Sequence, residues 1–444
     1  MKGPALRSFG NYPPHPQMLQ TCQWRNTLPS AMESARRAYG TTLPFGNGRS
    51  YGDSCLAASD HVLHLRPLNR FISADWSTGV LSAEAGVTLE EILSVSIPQG
   101  WFLSVTPGTK YVTLGGAIAN DVHGKNHHRS GTFGRYVRRL GLLRSDIGRM
   151  TCAPESHPEY FVATIGGLGL TGLIEWAEIQ LVRIAASQID AISQRFSSLG
   201  EFFALSDELD AAHEFCVSWI DCAARGRGAG RGAGRGIYMA GDFAAEGPLT
   251  VETSRKVTVP LTPPVSLVNR ITLRVFNELY WHKAPAKRML SRVGYEPFFY
   301  PLDAVTDWNR IYGTKGFQQY QALIPPGEAR QTIQALLDVI VDSGAGSCLA
   351  VLKRCGDVPS PGMLSFPRPG TTLALDFPQS DRLHTELFPR LDAIVREAHG
   401  RLYPAKDAHW SGADFRRAYP EWVQLEALRD PALQSRFWQR VTAQ

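Results

Sequence analysis

Residues 44–54 read PFGNGRSYGDS, and residues 106–116 read TPGTKYVTLGG. Closely spaced glycines let consecutive backbone N–H groups curl around an oxyanion, because no Cβ blocks the approach. In the first stretch Pro44, Gly46, Gly48, Ser50 and Gly52 set the spacing, Arg49 adds charge and Ser50 adds a hydroxyl donor. The second stretch runs Thr106-Pro107-Gly108-Thr109, then Thr113-Leu114-Gly115-Gly116. There a loop feeds a helix N-terminus, where unpaired N–H groups and the macrodipole attract phosphate. Either cluster alone is weak evidence, because glycine turns are common. Together, in one strand-rich region, they suit a pyrophosphate held between two loops.

The surrounding sequence alternates in short runs. HVLHL (61–65), RFISAD (70–75) and GVLSAEAG (79–86) read as strands. Thr88, with Glu91 three residues on, makes a capping box for a helix that stops by 98–100. WFLSVTPG (101–108) is strand-like, and GLIEWAEIQLVRI (172–184) closes the region as a strand. Residues 1–40 read as a short polar lead-in. A second region begins near Ala185, with helical stretches at 198–209 and 327–344. Strand-like runs EFCVSWID (214–221), FQQYQALI (317–324), CLAVLKRCG (348–356) and TTLALDF (371–377) lie among them. Strand, helix and strand in turn imply a sheet covered by helices. The expected class is α+β, with a short aromatic tail after Arg401 that packs back on the rest.

At 444 residues the chain holds two or three domains of roughly 100–200 residues each. Its 43% hydrophobic and 20% charged residues fit a globular protein and exclude a wholly disordered one. No apolar run approaches the roughly 20 residues of a membrane helix. A net charge of +5 permits an anionic substrate but does not mark a dedicated nucleic-acid binder. The 7 cysteines are odd in number and lack CxxC spacing, which argues against a disulfide framework or zinc site. The N-terminus MKGPALRSFGNYPPHPQ has no apolar signal core. A cytoplasmic location follows, with room for peripheral membrane contact.

Three features are decoys by context. Gly167-Leu168-Gly169 with Gly172 fits GxGxxG, but a helix-like stretch precedes it and a strand follows, the reverse of a dinucleotide fold. Asp190 stands at a tolerable distance and adds little. RGRGAGRGAGRG (225–236) resembles RNA-binding tails, yet it is short and internal, and reads better as a flexible loop. His123, His127 and His128 invite a metal, but Gly124 interrupts a regular helix and Asp121 is the nearest carboxylate in sequence. No metal and no nucleic-acid partner are expected.

The glycine loops belong to a longer series: GRSYGDSCL (48–56), PGTKYVTLGGAIANDVHGKNHH (107–128), ATIGGLGLTGLI (163–174), FQQYQ (317–321), LKRCG (352–356), LSFPRPG (364–370) and RLYPAKD (401–407). This series resembles the vanillyl-alcohol oxidase / p-cresol methylhydroxylase superfamily. Within it, the resemblance is greatest to the decaprenylphosphoryl-ribose oxidase branch, the flavin subunit of an arabinose-forming epimerase. VHGKNHH and YPAKD are the branch-specific stretches.

The resemblance implies a two-domain flavoprotein with a bipartite FAD-binding domain at 1–184. A substrate (cap) domain would span 185–398, with the Arg-Gly loop inside it, and 399–444 would return to the first domain. Pro44, Phe45, Gly46, Asn47, Gly48, Arg49, Ser50, Tyr51, Gly52, Asp53 and Ser54 would wrap the FAD pyrophosphate. Gly108, Thr113, Leu114, Gly115 and Gly116 would complete the cradle. His123, Gly124, Lys125 and Asn126 would lie near the isoalloxazine and the sugar, and Ile174 and Tyr403 against the flavin's far wall. Lys406, Tyr51 and His123 form the implied catalytic set. Lys406 would polarise the substrate hydroxyl or stabilise the reduced flavin. Lys125, Gln319, Gln321, Lys353 and Thr372 would line the substrate pocket.

Three departures stand out. Many superfamily members carry a flavin-linking histidine where this chain has Arg49, so dissociable FAD is expected. The family's pocket cysteine falls at Ala374, and a nearby asparagine at Thr372. The implied activity is oxidation of a sugar secondary alcohol, foremost the 2′-hydroxyl of a polyprenyl-phosphoribose or related ribofuranoside. A separate NAD(P)H-dependent keto-reductase would then complete an epimerisation. The alternative is oxidation of a free sugar, lactone or natural-product alcohol.

Overall fold

A computed structural model describes residues 6–223, 234–252, 256–284 and 288–443. Most of the Arg-Gly run therefore lies outside the described residues. Three larger sheets and one two-stranded pair form among the described residues. The first of the three is parallel, with His61–His64 between Met18–Thr21 and Leu43–Phe45. Its last strand delivers the chain into the first glycine loop at Gly46.

The second sheet centres on the long strand Leu173–Arg183, flanked by Val80–Glu84 and Val137–Arg144. Against it pack Leu89–Ser96 and Leu114–Ala119, helices whose starts the sequence marks clearly. Thr88 Oγ1 accepts from the Glu91 amide at 3.2 Å, and the Glu91 carboxylate accepts from the Thr88 amide at 2.8 Å, closing the capping box.

The third sheet has eight antiparallel strands, and residues 185–378 supply all but its last edge. Side chains alternate between its faces. Tyr320, Leu352, Leu373 and Leu375 point to one face, where Leu199–Ala212, Ala329–Ser343 and Phe388–Glu397 cover them. Helix 329–343 buries Ile333, Leu336, Leu337 and Ile340 there, each contributing about 1.5–3 kcal/mol. The opposite face carries Gln319, Gln321, Val351, Lys353, Thr372 and Ala374, which line a cavity. Decoy context held: Pro158–Thr164 is a helix, and the strand 173–183 follows Gly172.

The polar lead-in reading of residues 1–40 is corrected. Met18–Thr21 is a strand, and the helix Leu28–Tyr39 buries Leu28, Met32 and Ala35 against Leu63, Leu65 and Leu433. Its apolar residues are too widely spaced among charges to stand out by composition.

The tail closes onto the start of the chain. Arg401–Leu402 adds an edge to strand Phe317–Ile324. The Tyr51 amide donates to the Ala405 carbonyl at 3.0 Å, and the Asp53 amide to the Asp407 carbonyl at 3.3 Å. Gly52 sits between these bonds, where a Cβ would fall 1.7 Å from the Asp407 oxygen. Only glycine permits that approach. Arg440, on the helix Arg436–Thr442, donates to both Asp53 oxygens at 2.8 and 2.9 Å and to Asp407 at 3.0 Å. Arg440→Met leaves two buried carboxylates without their cation. It should cost about 3–5 kcal/mol in denaturant unfolding, and a loss under 1 kcal/mol would show that the cluster does not bind the termini together.

Candidate active site

The two glycine stretches meet. A Cβ on Gly46 would lie 2.5 Å from Thr113 Oγ1, and Asn47 Nδ2 donates to the Tyr111 carbonyl at 2.7 Å. Between them and the eight-stranded sheet runs a cavity of about 410 Å³. It is lined by Pro44, Phe45, Gly46, Asn47, Gly48, Arg49, Ser50, Tyr51 and Ser54 from the first stretch, and by Gly108, Thr113, Gly115 and Gly116 from the second. His123, Gly124, Lys125, Ile174, Gln319, Gln321, Lys353, Thr372, Tyr403 and Lys406 complete the expected set on its walls.

Four expected residues lie elsewhere, each for a physical reason. Gly52 packs against the Asp407 backbone, and Asp53 pairs with Arg440. Leu114 is fully buried in the core of the second sheet. Asn126 is also buried, and its amide donates to the Ser104 carbonyl and to Glu214, both at 2.9 Å. The helix N-terminus at Thr113 is also not an open phosphate trap. The Leu114 amide donates to Val87, that of Gly115 to Ala85, and that of Gly116 to Thr113 Oγ1.

The open donors are in the first loop instead. Gly46, Asn47, Gly48, Arg49 and Ser50 line the cavity, and their backbone N–H groups meet no acceptor among the described residues. Gly48 has φ +60°, the left-handed turn that lets successive amides converge into a nest. Arg49 Nε is buried and unpartnered, with its guanidinium 5.3 and 5.2 Å from the Phe9 and Tyr111 rings. A run of amides without acceptors among the described residues, beside a half-buried guanidinium, suits a dinucleotide pyrophosphate.

The comparisons with known proteins agree. An FAD binding domain model matches residues 16–151. Decaprenylphosphoryl-beta-D-ribose oxidase of Mycolicibacterium smegmatis is 36% identical over 87% of this chain and 85% of its own. The chain belongs to that oxidase's family. An uncharacterized Streptomyces coelicolor protein is 31% identical over 78% of this chain and 96% of its own. L-gulonolactone oxidase of Mus musculus matches at 28% identity, over 31% of each chain. This is an FAD-dependent oxidoreductase acting on alcohol groups.

Beyond the pyrophosphate loop, the cavity is strongly cationic. Lys125, Lys353 and Lys406 all line it. Burial, reinforced by the Lys353 charge, pushes the Lys125 amine down to about 8. Burial also lowers Lys353, whose ammonium donates to the Gly124 carbonyl. Lys406 Nζ lies 3.5 Å from the centroid of the Tyr51 ring. Burial drives its amine far below the ordinary lysine range, opposed by the charge of Asp376. Tyr51 rises well above an ordinary phenol, chiefly through burial, and stays a donor. His123 falls well below the usual imidazole range through burial and the charge of Lys353, so it is neutral. Its Nε2 stands 3.4 Å from Gln321 Nε2.

Asp376 was missed by sequence reading. Its carboxylate accepts from Gln319 at 2.6 Å, and burial raises its pKa. A signal was present. Asp376 falls two and four residues after Ala374 and Thr372, on the same strand face. A carboxylate inside an otherwise apolar strand requires a partner. The histidine pattern also changes in three dimensions. His128 approaches Asp210 and Cys216, which are distant in sequence. Asp210 already accepts from Ser206 and Tyr238. Asp121 accepts from the Gly134 amide, Ser360 and Ser365.

If Arg49 stands where relatives carry a flavin-linking histidine, as the resemblance implies, acid denaturation of the yellow protein should release all of its flavin to the supernatant. Absorbance that stays with the precipitated polypeptide would mean a covalent bond through another side chain.

Proposed function

We propose that this chain oxidises a secondary alcohol of a phosphorylated ribofuranoside, foremost the 2′-hydroxyl of a polyprenyl-phosphoribose, to a ketone. The observation that carries the reading is Lys125 with Lys353. Lys353 is buried and Lys125 half-buried on the cavity wall, and neither has a carboxylate ion pair among the described residues. A neutral sugar or lactone leaves them uncompensated. A substrate phosphate supplies the missing charge. The similarity to an oxidase of decaprenylphosphoryl-ribose supports the same substrate class.

Bound FAD supplies a two-electron acceptor. In the proposed arrangement, residues 1–184 and the returning segment 399–444 hold it, and the face of the eight-stranded sheet presents the sugar. Gln319, Gln321 and Thr372 orient the hydroxyls. Lys406 Nζ, which desolvation lowers to about 7, takes the proton of the reacting hydroxyl in its neutral form. Asp376 sets how readily that amine holds the proton. Tyr51 packs over Lys406 and limits its motion and access to water. The keto sugar then passes to a separate NAD(P)H-dependent reductase, which returns hydride to the opposite face and completes an epimerisation.

Anaerobic mixing with a short-chain polyprenyl-phosphoribose should bleach the flavin, while ribose and sugar lactones should not. Bleaching by free sugars or lactones alone would favour the other reading. Lys406→Met should keep its flavin and lose at least about 100-fold in the rate of bleaching. In the wild type that rate should rise with pH as the Lys406 amine loses its proton. The Asp376 charge favours the ammonium, so Asp376→Asn should move the midpoint to lower pH; an unmoved midpoint would remove Asp376 from the proton-holding pair.

A further inference from the structure

Half of the large exposed apolar side chains among the described residues fall between Val257 and Leu290. The helix Arg270–Lys283 concentrates them. Leu273 and Asn277 are buried on its inner face, where Asn277 donates to Asp221. On the opposite face Ile271, Val275 and Leu279 follow at four-residue spacing, exposed by 75%, 56% and 68%. Arg274 borders this stripe on one side and Lys283 on the other, both exposed. From 256 to 292, Glu278 is the only acidic residue, and Arg235 pairs with it. Such a surface would be poorly soluble for no purpose unless something covers it.

We infer that this segment is a docking surface for an anionic lipid bilayer. Charge decides between occupants. An apolar stripe flanked by cations matches an interface with acidic headgroups, whereas a second copy of the chain would set like charges together. The position of the segment agrees. Val257 and Thr258 pair with Val305 and Thr306, and the Leu267 amide donates to the Ile311 carbonyl. The neighbouring Pro301, Leu302, Asp303 and Trp308 line the cavity. The docked face therefore adjoins the wall past which a lipid tail would leave the site. The docking inference rests on the surface; only its use in substrate delivery rests on the proposed function.

The test is flotation of the flavin-loaded protein with vesicles of equal parts phosphatidylglycerol and phosphatidylcholine. Binding is expected, falling with salt and nearly absent on pure phosphatidylcholine. Arg270→Glu with Arg274→Glu, and separately Ile271→Ser with Leu279→Ser, should each weaken it by at least about tenfold. Flavin content, melting and bleaching by a short-chain substrate should be unchanged. No flotation of the wild type, or equal flotation of all three proteins, would overturn the inference. So would a dimer by light scattering that Leu279→Ser dissociates while flotation persists. Flotation without oxidation of the phosphoribose would sink the functional reading and leave the docking surface standing; oxidation without flotation would do the reverse.

Discussion

The guanidinium of Arg440 between Asp53 and Asp407 is the constraint on which the site depends. Two carboxylates this deeply buried repel one another, and each costs several kcal/mol to remove from water. Burial raises Asp53 despite Arg440. At Asp407 burial is outweighed by Arg440 and His409, which hold it below the usual range. One cation near the C-terminus thus fixes a residue of the first glycine loop beside the residue that follows Lys406. The amide bonds from Tyr51 and Asp53 to Ala405 and Asp407 then set the spacing between the free amides and Lys406. Gly52 is part of the same device, because a side chain there would separate the two strands of backbone.

The cavity is electrostatically incomplete by itself. Three lysines converge on it, Lys353 buried and the other two half-buried, and Asp376 offsets one. At an effective dielectric near 20, a unit negative charge about 4 Å from one lysine is worth about 4 kcal/mol. A neutral hydrogen bond nets about 1 kcal/mol. That difference favours anions over neutral sugars of similar shape. It would also favour a reduced flavin, which carries negative charge, so under the proposed function the same lysines would serve both binding and the redox step. The separation of roles follows the fold. The free amides and Arg49 belong to the first glycine loop, Lys353 belongs to the sheet, and Lys125 sits in the loop before helix His127–Ser130, its carbonyl accepting from the Cys216 amide.

Much of this was legible in the sequence because the decisive signals are local. Thr88 and Glu91 name a helix start, FQQYQALI reads as a strand, and the glycine spacing marks the first loop. What failed was non-local. Nothing near Asp53 indicates that its partner lies at 440, so it read as a cofactor ligand. Leu114 and Gly115 looked like open helix-start donors, but Val87 and Ala85, on a separate turn, occupy their amides. The helix 28–39 lines up Leu28, Met32 and Ala35 on one face, but it is polar on average, and its burial against Leu63 and Leu433 is not visible locally. Asp376 was readable only once its strand face was known.

The sheet face also explains how the pocket can change substrate without losing its charge. Gln321, Ala374 and Val351 form one row across three strands, and Leu323, Thr372 and Lys353 form the next. Directly opposed side chains lie about 4.5–5.5 Å apart at Cβ. Ala374 and Thr372 stand where the resemblance places cysteine and asparagine, so both substitutions fall on the central strand of these rows. They alter shape and hydrogen bonding beside Lys353 while leaving all three lysines in place. Selection for an anionic group and selection for the contour of the sugar are therefore carried by different residues. A change of sugar or of lipid attachment needs only the central strand to vary, whereas a substrate without the proposed phosphate would leave Lys125 and Lys353 on the cavity wall without counter-charge.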